Sequence, residues 1–198
     1  MTNFNPQLTQ KLGAAIAITA VLSVLTLILL YAGIPFFGPV NDLLTAVGGI
    51  LIAGLALQFH SLLRGESPGL ALLLLLAAWA GAAAVAANSV LVAFGQMHWM
   101  VGGMYTAVGY ALIGIWLLGL LVTLRGEIFF NPGLVRLGLI AGAAMLFGFL
   151  SGPLLAGRLQ LDIKPMAWIA YAAAGAGWVM FPIWCWRLAS KLKDSLIV

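Results

Sequence analysis

Hydrophobic positions in this chain do not alternate with polar ones; they run on for some twenty positions at a time. Runs at about 12–34, 43–63, 70–94, 104–124, 134–156 and 166–187 each supply the roughly 20 residues, at about 1.5 Å per residue, that cross about 30 Å of hydrocarbon. Strands of a membrane barrel would be about ten residues long and alternating. The pattern therefore predicts an all-α, polytopic bundle of six transmembrane helices. It forms a single integral membrane domain over residues 1–198, in which every backbone amide bonds within its own helix. The first run is too long, and too poor in basic residues before it, for a cleavable signal peptide, so it is expected to be retained.

The polar punctuation repeats. Thr45 to Glu66 (TAVGGILIAGLALQFHSLLRGE) and Thr106 to Glu127 (TAVGYALIGIWLLGLLVTLRGE) align without a gap, with eleven of twenty-two positions identical. Odd-numbered runs follow a proline, in Phe4 to Leu8, Ser67 to Leu70 and Phe130 to Leu134, where a first-turn proline costs no hydrogen bond. The expected architecture is three helical hairpins, the first two duplicated. The hairpins run parallel, which differs from the inverted repeats of many transporters.

Composition excludes soluble classes: 64% of residues are hydrophobic and 7% charged, against about a quarter charged in ordinary globular domains. Lys11, Arg64, Arg125, Arg136, Arg187, Lys191 and Lys193 fall on the side of the termini, and only Arg158 and Lys164 on the other. The positive-inside rule then predicts both termini in the cytoplasm. The net charge of +4 reads as a topology signal with some attraction to anionic lipid heads, and not as a nucleic-acid surface. Tyr31, Phe36, Trp99 and Tyr105 are assigned to an outer aromatic belt, and Phe129, Phe130, Trp184 and Trp186 to an inner one. Small-residue pairs, Gly138 with Gly142 and Gly148 with Gly152, predict close helix approach. The large and small residues of Trp178 to Trp186 predict an irregular surface facing lipid or a partner, kinked at Pro182.

Candidate chemistry is sparse. No Asp, Glu, Lys or Arg stands in the middle of a predicted span, which argues against a proton relay. The single Cys185 excludes an intrachain disulfide and an iron–sulfur cluster. Thr19, Ser23 and Thr26 form one polar stripe on the first span, expected to serve packing or a solute path, and Asn88 is expected to face another helix. His60 is read as a neutral hydrogen-bonded side chain, with haem or pigment ligation as the alternative. Met97, His98, Met100 and Met104 carry soft donors suited to Cu(I). His60 and His98 fall at opposite membrane faces, which argues against a bis-histidine haem within this chain.

The segments NSVLVAFGQ, GYALIGIWLLGLLVTLRGE and LVRLGLIAGAAMLFGFLSGPLL, between Asn88 and Leu155, resemble bacterial six-span membrane proteins of unknown function. The resemblance implies an inner-membrane location and supplies no catalytic residues. The expected function is a small structural or accessory membrane subunit, not an enzyme, acting through helix packing with lipid, a membrane-protein partner or further copies of itself. Alternatives are a carrier or channel for a small neutral, lipid-like or soft-metal solute, and a haem- or pigment-binding subunit.

Overall fold

The computed structural model describes residues 4–127, 130–150 and 164–195. It is all-α: α1 (Pro6–Tyr31), α2 (Phe37–Glu66), α3 (Pro68–Ala93), α4 (Trp99–Leu124), α5 (Pro132–Leu146) followed by a 3₁₀ turn (Phe147–Leu150), and α6 (Lys164–Ser195). Four helices, α1 to α4, and the stretch Pro132–Leu150 are long and apolar enough to cross a membrane. Helix α6 is 32 residues long and continues through Pro182.

Local chemistry sets the ends. At α1 and α5 the side chains of Asn5 and Asn131 accept the backbone N–H groups of Leu8 (3.0 Å) and Leu134 (2.7 Å), with Pro6 and Pro132 in the first turn. This capping is why Phe-Asn-Pro recurs. Helices α1 and α3 stop alike: Gly33 (φ +93°) and Gly95 (φ +67°) take the left-handed conformation. Ile34 N–H then reaches back to the Leu29 carbonyl (3.2 Å) and Gln96 N–H to that of Leu91 (2.8 Å), closing two Schellman motifs.

Each helix packs on its sequence neighbours, and α6 closes on α1, so the six form a ring. Asn5 N–H donates to Gln58 Oε1 at 3.2 Å. A Cβ placed at Gly13 of α1 would lie 2.9 Å from the Cys185 carbonyl oxygen of α6. The start of α1 and the ends of α2 and α6 therefore share one end of the ring, here the tail end.

Glycines let these helices touch backbone to backbone. A Cβ at Gly49 would meet the Ala82 carbonyl at 2.9 Å (α2 on α3), one at Gly81 the Gly109 carbonyl at 2.5 Å (α3 on α4), and one at Gly114 the Gly142 carbonyl at 2.7 Å (α4 on α5). At Gly177 it would meet Met145 N at 2.7 Å (α6 on α5). The α1–α2 seam differs, since a Cβ at Gly54 would meet only the Leu12 methyls, at 3.5 Å and beyond.

The tail half of the ring is filled by aromatic side chains. Phe59 lies 5.9 Å from Phe130, 6.0 Å from Phe4 and 6.3 Å from Trp116, and Trp184 lies 6.5 Å from Phe130 and 6.0 Å from Phe181, centroid to centroid. Trp116 and Trp184 are fully buried, and among the described residues their indole N–H groups have no acceptor. In the aligned segments the same register faces inward: Ile52 and Ile113, Leu55 and Trp116, Ala56 and Leu117, Phe59 and Leu120, Leu63 and Leu124 are all buried.

Several expectations are corrected. Phe130 and Trp184 belong to this interior stack and not to a boundary belt, whereas Trp186 is exposed. Trp178 to Trp186 is not an outward surface: Phe181, Trp184 and Cys185 point inward, and Val179, Ile183 and Trp186 outward. Helix α2 begins at Phe37, ahead of position 43, and α6 runs to Ser195, beyond 187. The predicted fifth run breaks into a 3₁₀ turn at Phe147. Phe129, Gly152 and Arg158 lie outside the described residues.

Because the added methyl would press on the Gly109 carbonyl oxygen at 2.5 Å and on Ile113 Cγ1 and N at 3.0 and 3.1 Å, Gly81→Ala is expected to destabilise the bundle by about 1–3 kcal/mol. Gly103→Ala, where nothing lies within 4 Å of the new Cβ, should cost nothing. Unfolding of both variants in detergent micelles checks the contrast.

Candidate functional site

Positions 16, 19, 20 and 23 of α1 fall on one helical face, and that face looks onto a break in the interior packing. Ile16, Thr19, Ala20 and Ser23 line a partly open niche together with Leu44, Thr45, Gly48 and Ile52 of α2, Tyr110 of α4, and Trp178, Phe181 and Pro182 of α6. Its volume is about 30 Å³, enough for one or two water-sized groups, since about 10–15 Å³ holds one. Ser23 is eight residues before the end of α1, and Thr45 eight after the start of α2. At 1.5 Å per residue the niche is roughly 12 Å from the far end of these helices. Ile16, Ile52 and Phe181 belong both to its lining and to the apolar core, so the aromatic stack closes it toward the tail end.

The polar wall is built by spacing on α2. Asn41 and Thr45, four apart, share a face, and the Thr45 hydroxyl donates to the Asn41 carbonyl at 2.9 Å. Across the seam Ser23 Oγ donates to Asn41 Oδ1 at 2.6 Å. Ser23 Oγ and Thr45 Oγ1 also stand 3.4 Å apart, within hydrogen-bond reach with either as donor; their shorter bonds go to Asn41, and each oxygen keeps lone-pair capacity for a further donor. On another wall Trp178 Nε1 donates to Tyr110 Oη at 3.1 Å. Among the described residues the Tyr110 proton has no acceptor.

The stripe read from the sequence is thus divided. Thr19 lines the niche and Ser23 anchors it, while Thr26 donates to the Ser23 carbonyl of its own helix at 2.9 Å. Asn88 also turns inward on its helix, its amide donating to the Ala84 carbonyl at 2.7 Å; at four residues' separation this satisfies the donor locally. Asn41, Thr45 and Tyr110 carried no site expectation, and Gly48 and Trp178 were read only for packing and for an outward surface. The i, i+4 pair of Asn41 and Thr45 was the available signal.

His60 Nδ1 lies 3.2 Å from the Ala71 carbonyl oxygen, to which it donates across the α2–α3 turn. His98 caps α4, its Nδ1 accepting the Met100 N–H at 3.3 Å, which puts its proton on Nε2. The two histidines stand at opposite ends of the ring. Met97 folds back toward Gly102, its sulfur 3.5 Å from where a Cβ would sit, and Met100 is exposed. The four soft donors stay within one cap and the first turns of α4. Among the described residues no group of three His, Cys, Asp or Glu side chains is placed to hold a metal ion.

A double-mutant cycle between Ser23→Ala and Asn41→Ala is expected to return a coupling of about 0.6 kcal/mol, and no more than about 1.7, the range for interhelical hydrogen bonds in bilayers. Unfolding in bicelles measures it; zero coupling would mean that the bond does not hold the α1–α2 seam. No protein-family model, curated protein or solved structure matches this chain.

Proposed function

We propose that this chain is a six-span protein of the bacterial inner membrane that acts as a compact structural or accessory subunit, meeting lipid and a membrane-protein partner, or a second copy, with its perimeter. The observation that carries this reading is the direction of the glycines. Those at which the backbones approach closely, Gly13, Gly49, Gly81, Gly109, Gly114, Gly142 and Gly177, all close the chain's own ring, and large apolar side chains such as Val21, Leu25, Ile50, Leu73, Val122 and Ile140 are left facing outward. Counting α6 as the sixth span gives two tails on one side. The exposed Lys11, Arg64, Arg125, Arg136, Arg187, Lys191 and Lys193 at the tail end support a cytoplasmic assignment. Duplication of the first two hairpins is supported by the shared inward register and by the matching turns at Gly33 and Gly95. The resemblance to six-span bacterial proteins fits the same reading.

Reporter fusions test the topology: the two tails should report the cytoplasm, and insertions at Gly33 and Gly95 the opposite side. Purification at native expression without a tag tests the role. A stable membrane-protein companion, or a defined oligomer, is the expected result, and a lone monomer would overturn it. The niche favours a second reading, carriage of a small neutral solute, which flux into proteoliposomes would detect.

A further inference from the structure

The niche presents an unbalanced set of hydrogen-bonding groups at a depth where water is scarce. On the α1–α2 side, Ser23 and Thr45 donate to Asn41 at the shortest distances and keep acceptor capacity, and Thr19 adds a further hydroxyl to the lining. On the α4–α6 side, the Tyr110 oxygen already accepts from Trp178, and its own proton has no acceptor among the described residues. A carbonyl could use only the donor and an ammonium only the acceptors. The ammonium would also carry charge into a largely apolar cavity, where the cost is several kcal/mol or more. A neutral hydroxyl both donates and accepts, and about 30 Å³ accommodates one.

Two further observations separate this site from a packing flaw. Gly48 lines the niche, yet a Cβ added there meets nothing within 4 Å, so empty space lies beside a wall that a larger residue would readily fill. The niche also borders the α1–α2 seam, where hydrogen bonds replace backbone contact at glycine. We infer that the niche is a binding site for the hydroxyl head of a small neutral amphiphile, whose alkyl chain lies among apolar side chains and lipid. The site stands whether the bundle works alone or in a complex.

The test uses the full chain in lipid nanodiscs and a photoreactive diazirine analogue of 1-octanol. Adducts are expected on residues lining the niche, with 1-octanol competing about tenfold better than octane or octanoate. Gly48→Leu should abolish these adducts while the thermal midpoint holds or rises. Should that variant fail to fold, Thr45→Val, which keeps the shape and removes one acceptor, should weaken labelling about tenfold. Adducts confined to the perimeter, as expected if the niche holds only water, would overturn the assignment. So would equal competition by octane, or unchanged labelling in whichever variant folds.

Discussion

Two helices in hydrocarbon gain nothing from hiding leucine, because lipid tails are as apolar as leucine itself. What holds them is dispersion at short range, and the range is set by Cβ. Removing it at Gly13, Gly49, Gly81, Gly109, Gly114, Gly142 and Gly177 brings a main-chain atom of the neighbouring helix to within about 3 Å of where a methyl would sit. The energy of a single atomic contact is about 0.1–0.2 kcal/mol, so continuous close approach is what makes the sum large. Five seams of the ring are built this way. The sixth, between α1 and α2, uses side-chain hydrogen bonds, and the unfilled space lies beside it.

The polar groups obey a related rule. With no water at hand, a hydroxyl or amide either satisfies itself on its own helix or crosses to a neighbour. Thr26 and Asn88 take the first course and Ser23 the second. Trp116 and Trp184 do neither among the described residues, and each such donor carries a desolvation cost of about 1–3 kcal/mol. That cost is borne where the aromatic stack is densest.

Helix positions were legible in the sequence because twenty apolar residues in a row have one stable solution in lipid. Helix ends were less so: a hydropathy run marks the depth of hydrocarbon, and α2 and α6 continue as helix past it, to Phe37 and Ser195. Which way a side chain faces was hardest. Phe130 and Trp184 lie at the level where boundary aromatics collect, and at that level an inward ring and an outward one have the same composition around them. The niche escaped notice for a similar reason. Ser23 was visible as part of a stripe, but its partners Asn41 and Thr45 precede or open an apolar run, and Tyr110 and Trp178 are 68 positions apart.

The joint between α2 and α3 has no slack. Ser67 alone separates them, ending one helix with its N–H on the Leu63 carbonyl and starting the next with its own carbonyl on the Ala71 N–H, both at 2.9 Å. One inserted residue would turn α3 by about 100° about its axis and carry Gly81 out of register with Gly109. The rotational phase of half the ring is thus fixed by a single peptide unit.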